Sequence, residues 1–296
     1  MQLGSGFDRR LTPYVFAAPA VLIMLFGLLY PVVEALRLAF YEMRLGEQMT
    51  PQAFRGFAIF AEALSDSSVR KSMAVTLQFS AIVVFVEMAL GVGLALALEK
   101  PLRGMMVFRT LLVLPMMIAP ICVGLIWRYM FDVNVGPING WLSVFGLKPA
   151  WLADPALAFF AICVTDIWQF TPFVFILALA GLQGLDQSSV EAAKMDGATT
   201  LQIIRYVKLP LLAPILRITI LMRVIDALRG LEVVYAMTNG GPGLSTELFS
   251  LHIYKSAFVT QRMGHSAALS IGLLVVTTAL SALLLMWSNP LRQKGR

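Results

Sequence analysis

Long apolar stretches constrain the fold of this chain more than any other feature of its sequence. A helix needs about 20 mostly apolar residues to cross the roughly 30 Å hydrocarbon core of a membrane. Six stretches meet or nearly meet that length, at 14–33, 73–98, 106–130, 156–181, 211–235 and 266–288. Because 58% of the residues are hydrophobic and only 14% are charged, a water-soluble domain could not bury them all. The sequence therefore predicts an all-α membrane protein with six transmembrane helices.

The apolar stretches are continuous along the chain, and this continuity favours helices over the strands of a barrel. Strands of an outer-membrane barrel alternate apolar and polar residues over segments of about ten. Small residues also recur in the second stretch, at 89–95, and small residues let helix backbones approach closely. We predict one transmembrane domain over residues 14–288, with short termini at 1–13 and 289–296.

The distribution of Lys and Arg predicts the orientation, because cytoplasmic segments carry an excess of these residues. Ten occur in the 57 residues of the segments that would share one side: 1–13, 99–105, 182–210 and 289–296. Seven occur in the 85 residues of the segments on the other side: 41–71, 132–155 and 236–265. We therefore expect both termini, and the segment 182–210, in the cytoplasm.

The net charge of +6 does not indicate nucleic-acid binding, because the basic residues are scattered among connecting segments and helix ends. Contact with lipid headgroups accounts for such a distribution. We expect membrane lipid, and no nucleic acid, as a binding partner.

Familiar signatures of catalysis are missing from the sequence. It contains no His-Glu-x-x-His string, no Gly-x-Ser-x-Gly string and no phosphate-binding Gly-x-x-x-x-Gly-Lys-[Ser/Thr] loop. Cys122 and Cys163 lie within apolar stretches, and neither His252 nor His265 has a Cys or carboxylate at metal-ligand spacing. We expect no enzymatic activity, no metal site and no cofactor on this chain.

The polar segment 182–210 lies between two apolar stretches and begins with a helix signal. Ser188 followed by Glu191 has the spacing of a capping box at a helix N-terminus. The helix would run about two turns to Gly197, which suits the positive φ of a C-terminal turn.

A second short helix is predicted directly after this glycine. Thr199 or Thr200 would cap it. Pro210 would end it, because proline disfavours helical geometry at the preceding residue. The segment therefore forms a helix–glycine–helix elbow.

Two roles remain open for the elbow on physical grounds. Val190, Ala193 and Gly197 share one face of its first helix, which leaves Glu191 and Lys194 more exposed. Such a helix is shaped to sit in a groove on another protein. It is equally suited to lie on the headgroups as an amphipathic linker.

The same segment resembles the EAA loop of permease subunits from bacterial ATP-binding-cassette importers. The resemblance is carried, at the family's spacing, by Glu191-Ala192-Ala193, Gly197-Ala198, Arg205, Val207 and Leu209-Pro210. Ile204 and Val207 differ from the family's frequent Phe and Ile, but both remain apolar.

Other motifs extend the resemblance over nearly the whole chain and are most similar to carbohydrate-importer permeases. These motifs are Tyr14 to Phe40, Phe108-Arg109-Thr110-Leu111, Leu114-Pro115, Gly124-Leu125-Ile126-Trp127-Arg128 and Thr238-Asn239-Gly240-Gly241-Pro242-Gly243. The resemblance implies a type I ABC importer permease fold in a bacterial or archaeal cytoplasmic membrane.

The resemblance also implies partners. They are a second permease subunit in a heterodimer or homodimer, two ATP-binding subunits that carry ATP and Mg, and an extracytoplasmic solute-binding protein. Glu191 would face the ATPase, Gly197 would permit the elbow and Arg205 would pin the second helix. The remaining residues expected at this coupling surface are Ala192, Ala193, Asp196, Leu209 and Pro210.

The fifth apolar stretch carries a row of charges that bears on the translocation path. Arg223, Asp226, Arg229 and Glu232 recur every third residue, so successive members lie about 60° apart on a helix. Internal ion pairing and lining of a substrate cavity are both open interpretations. Arg229 and Glu232 are the cavity candidates, because they lie nearest the turn at Asn239, which is itself a candidate.

The fourth stretch supplies a further group of candidates, Asp166, Trp168 and Gln169. A Trp ring stacks on the apolar face of a sugar, and carboxylate and amide groups bind hydroxyls. Packing of Trp168 between helices is the alternative. The substrate is expected to be a sugar, a polyol or a glycerol-phosphate derivative.

A secondary transporter or a channel is the alternative class of membrane protein. A secondary transporter or channel would use the segment 182–210 only as a membrane-surface linker. A secondary transporter would be expected to have matching broken helices in two halves of the chain. No convincing repeat relates residues 1–148 to 149–296.

Overall fold

The computed structural model describes residues 12–99 and 104–288, and most of them are helical. The prediction of an all-α protein is confirmed. Within these ranges the extended pairing amounts to one isolated bridge between Tyr41 and Phe54. The predicted cytoplasmic termini fall almost entirely outside the described residues.

The first half of the chain contains seven α-helices within the described ranges. They are α1 (Thr12–Met24), α2 (Tyr30–Leu38), α3 (Ala58–Ser65), α4 (Ser67–Ala97), α5 (Met105–Met117), α6 (Pro120–Met130) and α7 (Pro137–Leu142). A π-helical turn at Leu25–Leu29 joins α1 to α2, and short 3-10 turns lie at Pro51–Ala53 and Ser143–Phe145.

The second half contains seven more. They are α8 (Pro155–Gln183), α9 (Gln187–Met195), α10 (Thr200–Ile203), α11 (Leu209–Arg229), α12 (Glu232–Met237), α13 (Phe249–Phe258) and α14 (Met263–Ser288). A π-helical turn at Ile204–Lys208 joins α10 to α11.

Within residues 12–99 and 104–288, four uninterrupted helical segments are long and apolar enough to cross a membrane, and a bent pair of helices makes a fifth candidate. The four are Pro13–Leu38, Ser67–Ala97, Pro155–Gln183 and Met263–Leu283. The helix α11 falls short by composition, because it carries Arg217, Arg223, Asp226 and Arg229. The count of six transmembrane helices therefore stays a prediction.

Two of the predicted stretches are interrupted in the structure. The stretch 106–130 is split into α5 and α6, which are bent by 98° relative to each other. Pro120 opens α6, and Ala119 before it is extended with ψ 133°. A proline has no N–H to donate and disfavours helical geometry at the residue before it, so the break falls there.

The stretch 211–235 breaks after Arg229. Gly230 leaves the helix with ψ 126°, and Glu232 opens the separate helix α12. The expectation of one continuous helix carrying all four charges was therefore wrong for Glu232.

The chain divides into two compact units. Among the described residues, the first contains residues 12–64 together with Ile253–Leu273. Its small core is formed by Ala39, Ile59, Ala267 and Ala268. The backbone carbonyl oxygen of Tyr41 would lie only 1.7 Å from a Cβ at Gly264, so this contact requires glycine.

Of the residues that the structure describes, the second unit contains 65–99, 104–252 and 274–288. Within it α4 packs against α8, and α11 packs against both. A Cβ at Gly91 of α4 would lie 2.6 Å from Val174 of α8. Small residues thus allow the close approach that the run at 89–95 predicted. The buried residues that fill this three-helix core are Ala95, Phe175, Ala178, Leu179, Leu182 and Leu212.

Candidate functional site

A group of charged side chains lies among α4, α8 and α11, with the buried guanidinium of Arg223 at its centre. Its guanidinium binds Glu87 through two hydrogen bonds, from Nε at 2.6 Å and from Nη2 at 2.8 Å. Nη2 also donates to Asp166 at 2.9 Å, and Nη1 donates to Asp226 at 2.5 Å. We call these four residues the Arg223 cluster. Paired hydrogen bonds from a planar guanidinium to a carboxylate are directional, so the cluster holds the three helices in one arrangement.

Burial explains why Arg223, Glu87 and Asp166 are paired, whereas Asp226 is exposed at the edge of the cluster. Arg223 is only 2% exposed and Glu87 is fully buried. An isolated charge in such surroundings is costly, and pairing with hydrogen bonds compensates for part of that cost. The ring of Phe170 covers the guanidinium, with Cζ 4.1 Å from the ring centre, and adds a cation–π contact. Ion pairing, one of the two interpretations of the charged row, applies to Arg223 and Asp226.

A cavity of about 290 Å³ lies beside the cluster. Asp166 and Asp226 contribute to its wall from the cluster side, and Arg229 and Glu232 contribute from the break between α11 and α12. Both Arg229 and Glu232 are exposed to solvent. The other lining residues are Phe79, Pro120, Phe170, Gly230, Leu231, Val233, Val234 and Leu248. The cavity therefore combines aromatic and aliphatic surface with a few charged groups, as ligand sites commonly do.

The cavity brings together only part of the candidate set for the substrate path. Asp166, Arg229 and Glu232 line it, although they come from two different stretches of sequence. Trp168 instead packs edge-on against Trp127 of α6, with ring centres 5.5 Å apart. Trp168 therefore packs between helices, which was the alternative to sugar stacking.

Gln169 and Asn239 also lie away from the cavity wall. Gln169 is buried, and its amide donates to the carbonyl oxygen of Ile118 at 3.2 Å. That carbonyl lies at the break between α5 and α6, so Gln169 satisfies a backbone group freed by the bend. Asn239 has a positive φ of 48° in the turn after α12. Their place in the substrate path stays a prediction.

The predicted elbow is present, but its first helix begins differently from our expectation. Asp186 is the N-cap of α9, and its carboxylate accepts hydrogen bonds from the backbone N–H and the hydroxyl of Ser188. The capping box from Ser188 to Glu191 was therefore wrong. The carboxylate two residues earlier caps the helix instead, because it can accept both bonds and its negative charge is stabilised by the positive end of the helix dipole. These hydrogen bonds hold the pKa of Asp186 below its ordinary value.

The helix α9 ends in a turn at Gly197, as the sequence indicated. Gly197 has φ +78°. Its N–H donates to the carbonyl of Lys194, and the N–H of Ala198 donates to the carbonyl of Ala193. This pair of bonds is a Schellman motif, which stops the helix by satisfying its last carbonyl groups.

The second helix of the elbow begins as predicted but does not stop at Pro210. Thr199 caps α10 in a capping box with Gln202. The helix then widens into the π turn Ile204–Lys208 and continues as α11, with Leu209 in helical geometry. The N–H of Leu209 donates to Ile204, five residues back. A π turn shifts the bonding pattern by one residue and so accommodates a proline in a continuing helix.

The elbow presents a largely exposed surface. Glu191, Ala192 and Asp196 are exposed, whereas Ala193 is half-buried and Val190 packs inward. Met195 is 88% exposed. Further along, the apolar side chains of Leu201 and Tyr206 are also exposed.

A salt bridge connects this region to α4. The ammonium group of Lys208 binds the carboxylate of Glu99, and both side chains are largely buried. Arg205 is exposed, and its guanidinium lies 5.8 Å from the ring centre of the adjacent Tyr206. Lys208 thus makes a contact of the kind that we expected of Arg205. Sequence reasoning missed Lys208 and Glu99; the available signal was opposite charges at two helix ends predicted for the same membrane face.

Metal binding has no candidate within residues 12–99 and 104–288. There, no three His, Cys, Asp or Glu side chains are grouped closely enough to hold an ion.

Comparison with known proteins identifies the family. Residues 88–290 match the model of a family described as the binding-protein-dependent transport system inner membrane component. This chain belongs to that family. It is therefore a membrane permease component of a transport system, in agreement with the resemblance carried by its motifs.

Relatives of this permease align along most of its length. It is 35% identical over 239 residues to the trehalose/maltose transport system permease protein MalF of Thermococcus litoralis, covering 80% of each chain. It is 30% identical over 279 residues to the sn-glycerol-3-phosphate transport system permease protein UgpA of Agrobacterium fabrum, covering 93% of this chain and 94% of that one.

Solved structures share its fold. One is a chain of a bacterial alginate ABC transporter in complex with an alginate pentasaccharide-bound periplasmic protein. The TM-score is 0.84 at 22% identity, and 96% of each chain is covered. The expected importer permease fold is thereby confirmed.

Proposed function

We propose that this permease forms part of the translocation path of an ATP-binding-cassette importer for a sugar or a related polyol or glycoside. ATP hydrolysis on separate chains would be coupled to transport through the elbow formed by α9, Gly197 and α10. The observation that carries the proposal is the elbow itself, which is closed at both ends by its own hydrogen bonds and leaves its outer face exposed.

The elbow is suited to receive a partner without first having to fold. A preformed helix loses little conformational entropy when it binds, so more of its interaction energy appears as affinity. Glu191 offers a carboxylate to donor groups, and Met195 offers a flexible apolar side chain that adapts to a groove. Asp196, Ala192 and Ala193 complete the surface proposed for the ATPase.

Movement at the elbow has a direct route to the cavity. The chain is helical without interruption from Thr200 to Arg229, through α10, the π turn and α11. Arg223 and Arg229 lie on this same rod. Displacement of the elbow by an ATPase would therefore be transmitted along this rod to the cavity wall, as in a hinge-type transition between inward-facing and outward-facing states.

The substrate class follows from the relatives and from the cavity chemistry. The relatives named above carry trehalose, maltose or sn-glycerol-3-phosphate. Carboxylate and guanidinium groups can bind hydroxyls, and the ring of Phe170 offers an apolar face. Asp166, Arg229 and Glu232 are the residues that we assign to substrate contact.

The family description also supports the partners. A binding-protein-dependent system requires a solute-binding protein outside the membrane. We propose in addition a second permease subunit, in a heterodimer or a homodimer, and two ATP-binding subunits that carry ATP and Mg.

The test replaces Gly197 by Val in the complete transporter, reconstituted in vesicles with its partner chains. A side chain at φ +78° strains the turn but meets no neighbouring atom within 4 Å, so the effect stays in the elbow. We expect normal membrane insertion and loss of substrate-stimulated ATP hydrolysis and uptake.

Gly46→Val is the matched control. Gly46 has φ +87° and equally open surroundings, but it lies outside the elbow. Full transport and ATPase stimulation by Gly197→Val would contradict the coupling role. Equal losses in both variants would assign the effect to general backbone strain and would also contradict it.

A further inference from the structure

The segment between α6 and α8 exposes large apolar side chains outside the candidate spans. Trp141, Val144 and Phe145 are 81%, 82% and 79% exposed. They are spaced at i, i+3 and i+4 along α7 and the 3-10 turn that follows it, so they lie on one side of this short helical stretch. Val135 and Leu147 add exposed apolar surface on either side of it.

This surface is held by a rigid framework. Asn139 is buried, and its amide donates to the carbonyl groups of Val133 at 3.3 Å and Pro149 at 3.0 Å. Its side-chain oxygen accepts a hydrogen bond from the indole N–H of Trp151 at 2.8 Å. One buried amide therefore ties both ends of the segment together, and the exposed side chains are presented outward by an ordered support.

A second set of hydrogen bonds orders the start of the segment. The carboxylate of Asp132 accepts hydrogen bonds from the backbone N–H groups of Asn134 and Val135, at 2.8 and 3.0 Å. These bonds lower the pKa of Asp132 below its ordinary value. The charge thus marks the polar edge of the surface next to the end of α6.

The composition of the segment indicates what covers it. Residues 133–147 contain no charged side chain, and Lys148 follows immediately. Both flanking elements are membrane candidates, since α8 is a candidate span and α6 belongs to the bent pair. A connecting segment held between two such elements lies at the membrane surface, where Trp side chains and apolar side chains next to a Lys are typical of interfacial anchors.

We propose that the side chains of Val135, Trp141, Val144, Phe145 and Leu147 insert into the lipid interface and anchor this segment to the bilayer. We call this group the interfacial anchor. The ligand is the boundary between headgroups and acyl chains, because the surface is apolar at its centre and carries charge only at its edges. The anchor would stabilise the orientation of α6 and α8, and with it the break at Pro120 that borders the cavity. The proposal does not depend on the transported substrate.

The experiment measures the environment of one anchor position in the assembled transporter. Val144→Cys is introduced together with Cys122→Ala, because Cys122 is exposed whereas Cys163 is buried. An environment-sensitive nitrobenzoxadiazole label is attached, and the complex is reconstituted in phosphatidylcholine–phosphatidylglycerol vesicles. Quenching is measured with 5-doxyl and 12-doxyl phosphatidylcholine and with aqueous iodide.

Gln48→Cys in the same background is the matched control, because Gln48 is exposed in a connecting segment that also contains Arg44 and Glu47. We expect the label at 144 to emit at shorter wavelength and to lose most of its emission to 5-doxyl lipid, less to 12-doxyl lipid and little to iodide. The label at 48 should show the reverse order. Retained transport by both labelled complexes shows that they are folded.

Two results would overturn the proposal. Efficient quenching of position 144 by iodide would place the segment in water. Protection from both lipid and iodide in the complete complex would mean that a second permease subunit or a binding protein covers it instead.

Discussion

The Arg223 cluster and the elbow, two regions of the second compact unit, are stabilised by different kinds of hydrogen bond. In the Arg223 cluster, one guanidinium binds Asp226 on its own helix and two carboxylates from α4 and α8, which are far away in sequence. In the elbow, the stabilising hydrogen bonds join residues that are close in sequence. Examples are the bond from Ser188 to Asp186 and the capping box formed by Thr199 and Gln202. The cluster depends on tertiary packing, whereas the elbow is shaped locally and keeps its outer face available to a partner.

The difference also predicts which region tolerates change. Removing one partner of a buried pair leaves another charge unpaired in an apolar environment. Removing an exposed side chain leaves groups that water can solvate. Substitutions in the cluster should therefore reduce stability, while substitutions on the exposed face of the elbow should act mainly on coupling.

The largest effect is expected for Arg223→Met, which leaves Glu87 and Asp166 without their common partner. Loss of one member of a buried pair costs about 3–5 kcal/mol in free energy of unfolding. Thermal unfolding in lipid nanodiscs would measure it. Arg229→Met on the same helix is the control and should change stability by less than about 0.5 kcal/mol, because Arg229 is exposed. Similar stabilities for the two variants would show that the cluster contributes little.

A smaller loss of stability is expected for Gly91→Ala, at the contact between α8 and α4, the helix that carries Glu87. The new Cβ would lie 2.6 Å from Val174 and 3.0 Å from the backbone nitrogen of Phe175. Overpacking of this kind costs about 1–3 kcal/mol. Gly93→Ala, two residues along the same helix, meets nothing within 4 Å and should be neutral or stabilising. Equal unfolding temperatures for the two variants would contradict close packing at Gly91.

A smaller effect again is expected for the salt bridge between Lys208, in the π turn after the elbow, and Glu99, just beyond the end of α4. Lys208→Met should cost about 1 kcal/mol, because the pair with Glu99 is mostly but not fully buried. Lys208→Glu combined with Glu99→Lys should recover most of the stability lost by Lys208→Glu alone. The double variant is compared with both single variants in the same unfolding assay. No recovery would mean that position 208 acts through contacts other than this pair.

The smallest effect concerns the local cap of α9. The hydroxyl and then the backbone N–H of Ser188 lower the pKa of Asp186 in the folded chain. The stabilisation is therefore fully present above the unfolded pKa of about 3.9 and is lost as pH falls through the lower folded value. Amide hydrogen exchange of α9, corrected for intrinsic rates, should show protection that decreases at acidic pH.

The variant Asp186→Asn tests whether protonation of Asp186 causes this loss of protection, because Asn also caps helices but does not titrate. Protection of α9 in the Asn variant should be independent of pH over the same range. If the protection of α9 decreased equally in both proteins, the decrease would be caused by the titration of another group.

Local features of the elbow could be predicted from the sequence, and one of them was assigned to the wrong residue. The positive φ of Gly197 and the capping role of Thr199 depend on the properties of those residues and their neighbours. The N-cap at Asp186 was missed because Asp186 and Ser188 are both good N-cap residues that would start the helix at different positions, and the sequence does not rank them. The helical continuation through Pro210 was missed because a π turn can absorb a proline.

The cavity could be predicted only in part. A charge within an apolar stretch is a general sign of function, and this sign identified Asp166, Arg229 and Glu232. It did not identify Glu87 as the principal partner of Arg223, since these residues are 136 positions apart. Nor did it show that Trp168 contacts Trp127 rather than the cavity.

The sequence by itself determined that this is a helical membrane protein, which family its motifs resemble and where its exposed elbow lies. These features follow from composition, from residue spacing and from short-range hydrogen bonding. Only the tertiary structure decided that three carboxylates share one guanidinium, and that the third and fifth stretches break beside a cavity. Such arrangements depend on which helix faces meet, and burial then requires each charge to find a partner wherever the chain has brought one.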